Sequence, residues 1–343
     1  MSNRRTCPSG RALLAVGTAT VALIAAVPGA SYAEPRRDIG QVRKQVDDLY
    51  AQAEKAAEQA NELNDQTKVI DRRVGKLDVD VARQQKRLDS LRGQIGQFAA
   101  TEYRAGAVDS TVQLLVAQDP KEYIAQMSTA QAFAGQQDDL LKQLQSEQKR
   151  LSEQKAARQA ELTRLREARD AAKARKKQAD ANVAKAKAVL DRLTAAERRR
   201  VQAADQAREQ AAQRSSRSQE RVPLPSGSGR GATALAFARA QLGEPYVFGA
   251  AGPSSWDCSG LTMMAWRQAG VSLPHSSRSQ YAMSAKVSRS QLQPGDLVLF
   301  YSDRHHVGLY AGNGMVIHAP RPGKGVEYLP MRYMPYAGAV RPG

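Results

Sequence analysis

Cys258 stands in the run Asp257-Cys258-Ser259-Gly260-Leu261, at the head of an apolar, helix-like stretch that stops at Gly270. Cys7 is the only other cysteine in 343 residues. A cysteine at a helix start faces backbone N–H groups and the positive end of the dipole, which favour the thiolate and predict a lowered thiol pKa. On count alone a lone cysteine reads equally well as a small buried hydrophobe. Small polar neighbours at a helix cap tip the reading towards chemistry. A nucleophilic thiol needs a base, and all four histidines follow Cys258.

His306 opens the alternating run His306-Val-Gly-Leu-Tyr310, and His318 closes Met315-Val-Ile-His318. A two-residue Asn313-Gly314 turn would pair Leu309 with His318 and put the two histidines on opposite faces. A three-residue loop over Gly312–Gly314 pairs Ala311 with Met315, Leu309 with Ile317 and Val307 with Ala319. That second register makes one continuous apolar face and leaves His306, Gly308, Tyr310, Val316 and His318 on the other. Burial of a matched apolar face fixes register, and Gly314 suits a left-handed loop position. The second register is therefore expected, giving a Cys258–His306–His318 set with His318 orienting the imidazole. His305 reads as a solvent-facing strand end and His275 as a loop or cleft-wall residue. No Cys-x-x-Cys or His-x-x-x-His spacing occurs, so no metal site and no cofactor are expected.

These residues sit in 231–343, which carries Gly and Pro punctuation, both tryptophans and all the histidines. Short helices come first and strands second, so the class is α+β. A stretch of 113 residues suffices for one compact domain. Before it, 214–230 is polar and rich in Ser, Gly and Pro, and reads as a flexible linker.

Residues 34–213 form an all-α domain. Alternating steps of three and four from Ile39 through Ala53, Ala60, Val74 and Leu88 to Phe98 meet apolar residues everywhere except Thr67 and Gln84. That sustained period is the seam of a left-handed coiled coil. Gly106 and Pro120 interrupt it, and a weaker seam then runs in a second helix to about Gln213. The expected arrangement is a long antiparallel coiled-coil hairpin with its tip near 104–120. The apolar Thr111–Val116 patch at the tip reads as a hairpin cap or a partner site.

Residues 1–33 read as a secretory signal: Arg4, Arg5 and Arg11, then the apolar run Leu13–Val27, then small residues before Glu34. Cleavage there would leave Cys258 as the sole thiol of an exported chain. The formal charge of +17 suits an acidic envelope partner or a well-solvated helical surface. Nucleic acid is excluded as a partner, because the basic helices lack aromatic interleaving and any reading motif.

The ordered motifs Pro245-Tyr-Val-Phe-Gly-Ala-Ala-Gly-Pro-Ser-Ser-Trp-Asp-Cys-Ser-Gly-Leu261, Leu273-Pro-His-Ser-Ser-Arg-Ser-Gln-Tyr281, Gln293–Tyr301 and His305–Pro320 resemble the NlpC/P60 family of cell-wall cysteine endopeptidases. The resemblance spans essentially all of 231–343. It implies a papain-like core, with nucleophile Cys258, base His306 and third polar residue His318. It also implies that Tyr246, Asp257 and Ser259 contact substrate. Phe248-Gly249-Ala250 departs from the Trp-Gly-Gly of many members. The implied substrate is a peptidoglycan stem peptide, cut between D-γ-glutamyl and a diamino acid by a secreted enzyme of the cell envelope. A secreted coiled coil joined to such a domain resembles actinobacterial Rip-like and firmicute division hydrolases, which implies a membrane division complex as the coiled coil's partner. An envelope-binding scaffold without catalysis is the competing class. Whether the coiled coil restrains the enzyme or only spaces it stays open at this level.

Overall fold

The computed structural model describes residues 38–105, 120–220 and 229–343. The expected signal at 1–33, the Thr111–Val116 patch and residues 221–228 of the expected linker lie outside the described residues. No described helix is long and apolar enough to cross a membrane.

Two long helices, α1 (Ile39–Ala105) and α2 (Pro120–Asp191), run antiparallel. Ascending positions in α1 meet descending ones in α2: Tyr50 and Val46 pack on Ala186, and Ala53, Ala56 and Ala57 pack on Ala179. Farther out, Asp71 pairs with Arg169, Asp78 with Arg158, and Gln84 donates to the Glu147 carbonyl at 3.2 Å. The expected seam is visible in the buried Val42, Val46, Ala53, Ala56, Ala60, Val74, Leu88 and Leu91. Gln84, the polar intruder, is buried with Glu147 as its hydrogen-bond partner.

The second helix does not continue to Gln213 as expected. It stops at Asp191, and α3 (Ala195–Glu220) begins after a short break. Thr194 and Glu197 form a reciprocal cap. The Thr194 N–H donates to Glu197 Oε2 at 2.8 Å, and the Glu197 N–H to Thr194 Oγ1 at 3.3 Å. The Thr-x-x-Glu capping box ends one helix and starts another. Val201 of α3 then joins Val42 and Leu193 in a small core at the hairpin base. Helix α3 extends past Arg214, where the linker was expected to begin.

The C-terminal α+β domain comprises α4 (Arg230–Ala240), α5 (Cys258–Gln268), α6 (Ser277–Met283) and six strands. The strands are β1 (Ala285–Val287), β2 (Leu297–Phe300), β3 (His306–Gly312), β4 (Met315–His318), β5 (Glu327–Pro330) and β6 (Tyr336–Arg341). They form one antiparallel sheet in the order β1-β6-β2-β3-β4-β5. Helices α4 and α5 pack on one face through Leu235, Ala238, Leu261, Ala265 and Trp266, against Leu297, Leu299, Val307, Leu309 and Ile317. Val298, Phe300, Val316 and Met331 form a second cluster on the other face. That two-sided burial explains why β2 reads as a continuous apolar run.

Leu309 pairs with Ile317, as the apolar-face argument requires. The loop differs in detail. Gly312 pairs with Met315 and Ala311 is bulged out, so the turn itself is Asn313-Gly314, both at positive φ. The bulge adds the residue that a plain two-residue hairpin lacks. It keeps His306 and His318 on one face.

Residues Ile39–Gly343 form one compact unit. Helix α1 lies against the C-terminal domain as well as against α2.

Candidate active site

Helix α5 places Cys258. Asp257 is its N-cap, extended in backbone, with Oδ1 accepting the Gly260 N–H at 2.6 Å. Its Oδ2 accepts the Gly249 N–H at 2.8 Å, which ties the loop before the cysteine to the helix start. Gly260 is required by space: a Cβ there would stand 2.2 Å from the Ala250 carbonyl oxygen and 2.9 Å from His275 Nε2. The Asp-Cys-Ser-Gly run is thus a cap, a reactive group, a hydroxyl and a close approach.

Strands β3 and β4 place the histidines. His306 Nε2 and His318 Nδ1 are 2.7 Å apart, with the rings edge to face. Gly308 sits between them on the same face, and a Cβ there would crowd His318 Cβ at 3.2 Å. Burial, and then the neighbouring His306, holds the His318 pKa well below the usual imidazole range, so His318 is neutral. A neutral His318 accepts at Nδ1, and His306 donates from Nε2. His306 Nδ1 is therefore the nitrogen left for a thiol.

Cys258, His306 and His318, expected from sequence, are brought together in one buried cluster. Tyr246 is buried beside it, edge-on to Phe248 at 5.1 Å. Asp257 and Ser259 flank the sulfur and are buried. A cleft of about 610 Å³ opens beside the histidines, walled by Tyr246, His306, His318, Arg321 and Tyr328. Tyr50 and Glu54 of α1 form part of its rim.

Two histidine readings are refined. His305 is not solvent-facing: it is 7% exposed, stacked on Tyr301 at 4.4 Å and bonded to Asp303. His275 reaches Asp257 Oδ1 at 2.8 Å. Burial alone would lower its pKa, but the Asp257 carboxylate outweighs that and raises it.

Sequence reasoning missed a third contributor to this site. Helix α1 inserts Glu54, Glu58, Asn61 and Asp65. Glu58 Oε1 accepts from Ser259 Oγ at 2.6 Å and from the Cys258 thiol at 3.5 Å, while Oε2 accepts the Ser277 N–H at 2.6 Å. Glu54 Oε1 bonds His306 Nδ1. Asn61 Nδ2 donates to Asp257 Oδ2 at 3.0 Å, and the His275 N–H donates to Asp65 Oδ2 at 2.6 Å.

This insertion reverses the electrostatic expectation for the thiol. The Cys258 pKa is raised well above its ordinary value, first by burial and then by Glu58, Glu54 and Asp257. Three carboxylates in a dry pocket outweigh one helix dipole. Burial and Asp257 push Glu58 itself up to about 7. A Glu54 oxygen, Cys258 Sγ and a His306 ring nitrogen also lie within 4.8 Å of one another, the donor types of a soft divalent-metal site. In this arrangement those donors hydrogen-bond to protein partners.

Residues 243–339 match the NlpC/P60 family, and the C-terminal domain belongs to that family. A protein of Corynebacterium glutamicum named a probable endopeptidase is 47% identical over 104 residues, covering 30% of this chain and 50% of that protein. One of Mycobacterium tuberculosis, also named a probable endopeptidase, is 45% identical over 108 residues, 31% of this chain and 28% of that one. The chain thus spans half or less of these relatives. The structure of an NlpC/P60 family protein from Bacillus cereus is 32% identical, covering 34% of this chain and 41% of that one, with a TM-score of 0.32.

Proposed function

We propose that this chain is a peptidoglycan endopeptidase that hydrolyses the bond between D-γ-glutamyl and a diamino acid in stem peptides. The Cys258 thiolate attacks the scissile carbonyl after His306 Nδ1 takes its proton. The backbone N–H at the start of α5 steadies the oxyanion. The imidazolium of His306 then protonates the leaving amine, and the neutral imidazole activates water to release the acyl group. His318 holds the His306 ring by accepting from Nε2.

One observation carries the substrate reading. Beside the sulfur lies a cradle made of the Ser259 hydroxyl and the Ser277 N–H, and it holds a carboxylate. Peptide linkage through the γ-carbonyl of glutamate leaves the α-carboxylate free a few atoms from the scissile bond. An ordinary α-linked peptide has no such group in its main chain. Tyr246 and Asp257, both buried beside the thiol, complete the proposed substrate contacts.

We place the catalytic domain at 231–343, joined through 214–230 to the helical domain at 34–213, with export to the envelope directed by 1–33. Export puts the enzyme beside its polymer, and a membrane division complex would be the partner of the hairpin.

The test is mass spectrometry of muropeptides digested by the full chain at high enzyme concentration. The expected products end in D-glutamate on one side and begin with a free diamino acid on the other. Products cut elsewhere in the stem would overturn the bond assignment, and unchanged muropeptides would overturn the substrate class.

A further inference from the structure

His318 ends β4 with its ring out of water, at 3% exposed. Its Nδ1 meets His306 Nε2 at 2.7 Å, while its buried Nε2 has no hydrogen-bond partner among the described residues. A neutral imidazole accepts at one nitrogen and donates from the other. Since Nδ1 accepts from His306, the proton of His318 sits on Nε2. A buried donor without an acceptor carries the full cost of its lost hydration. Which nitrogen of a histidine holds the proton is set by the partner of the other, so the group opposite Nε2 decides the tautomer.

That group comes from β5. His318 pairs in register with Glu327 across the β4–β5 ladder, so the two side chains leave the sheet on the same face. Val316 and Leu329, the next pair on that face, pack in the same cluster. Glu327 Oε1 lies 3.8 Å from His318 Nε2, and its side chain is 35% exposed at the wall of the cleft. A charge-assisted hydrogen bond is about 2.7–2.9 Å long. The remaining step is about 1 Å, within the broad terminal torsion of a glutamate.

We propose that Glu327 is a positioning residue of the reaction: by accepting the His318 Nε2 proton it fixes the tautomers of both histidines and keeps His306 Nδ1 open as the base. The proposal rests on the hydrolase reading above for its consequence. In the opposite tautomer His318 would donate from Nδ1 to His306 Nε2. His306 would then hold its own proton on Nδ1 and could not take one from the thiol. Lys324 also acts on His318 and helps to depress its pKa. An ammonium only donates, so opposite Nε2 it would select that unproductive tautomer. The carboxylate in register selects the productive one. It also faces the positive charge that reaches His306 when the thiol gives up its proton, with the His318 ring between them.

The test uses the full chain and two readouts. The first is the nuclear magnetic resonance signal of the His318 Nε2 proton in protein carrying isotope-labelled histidine, assigned by its loss in His318→Ala. The second is kcat and KM for a soluble stem peptide. Wild type is expected to hold His318 in the Nε2–H tautomer, with that proton shifted downfield by a charged acceptor. Glu327→Leu, of similar size, should move the signal upfield and lower kcat about tenfold at unchanged KM, less than the loss expected of the base itself. Glu327→Gln keeps an acceptor oxygen and should restore part of both. A wild-type His318 protonated on Nδ1, or a signal unmoved in both variants, would overturn the proposal. So would an unchanged kcat in Glu327→Leu. A signal that moves as expected in a chain that cleaves no stem peptide would support the Glu327–His318 bond and overturn the substrate reading instead.

Discussion

The backbone N–H of Ser277 donates to the carboxylate of Glu58 at 2.6 Å across 219 residues of sequence. That one bond joins the N-terminal hairpin to the floor of the catalytic cleft. It also places an anion where the proposed substrate would put its own.

Replacement of Cys258 by alanine should abolish stem-peptide cleavage with the fold intact. Cys7, in the expected signal, is the only other cysteine in the sequence, and no second cysteine lies among the described residues, so no second thiol stands in the site. Circular dichroism and a muropeptide digest check the two halves. Residual cleavage by a folded Cys258→Ala chain would remove the thiol mechanism.

His306→Ala should cost more turnover than His318→Ala. His306 moves protons in both half-reactions, whereas His318 only accepts from Nε2 across 2.7 Å, a role that water can partly fill. The base variant should lose at least 10²-fold in kcat, in line with the usual share of general acid–base catalysis. The His318 variant should lose less. Equal losses would contradict the division of roles.

The contact of α1 with the C-terminal domain should weaken as pH rises. Glu58 in that contact has a pKa of about 7, raised from 4.5 by burial and by Asp257. A group whose pKa is raised on docking favours docking where it is protonated. The contribution is full below the free value and is lost as pH climbs through the docked one. Glu58 and Asp65 of α1 also raise the His275 pKa and act in the same direction, and Ser259 and Ser277 stay neutral throughout. Wild-type protection of Cys258 from alkylation should therefore fall between about pH 5 and pH 8. In Glu58→Gln, which mimics the protonated acid, it should fall less over the same span. The ratio of the two alkylation rates removes the common titration of the thiol. A ratio that stays flat with pH would exclude Glu58 as the sensor.

Gly260→Ala should destabilise the catalytic domain and displace the thiol. Its Cβ would meet the Ala250 carbonyl at 2.2 Å and Asp257 Oδ1 at 2.9 Å. Overpacking of this kind typically costs about 1–3 kcal/mol. A lowered melting temperature, together with lost stem-peptide hydrolysis, is the expected result. A variant with wild-type stability and activity would show that the loop at Ala250 yields freely.

Much of this architecture was legible because it is periodic. The α1 seam from Val42 to Leu91 follows from a sustained seven-residue repeat. The pairing of Leu309 with Ile317 follows from a two-residue alternation that had to bury one face. Cys258, His306 and His318 were legible as types with geometry attached. The break before Ala195 was written in Thr194-Ala-Ala-Glu197 but was overridden by the helical composition around it. The carboxylates of α1 were not legible. Glu54 and Glu58 look like any solvated helix surface, and their partners lie about 200 residues away. The one available hint was a polar stripe at 54, 58 and 61 beside a run of small seam residues, Ala53, Ala56, Ala57 and Ala60. The thiol pKa was misjudged for the same reason: local sequence holds the dipole of α5 but not the anions brought from elsewhere.

Helix α1 runs 67 residues without a proline, about 100 Å at the usual rise, and it carries both the hairpin seam and the carboxylates that meet the cleft. One element therefore belongs to both the hairpin and the surroundings of the thiol. The spacing between Ala105 and the cleft is thereby set by a single element of secondary structure.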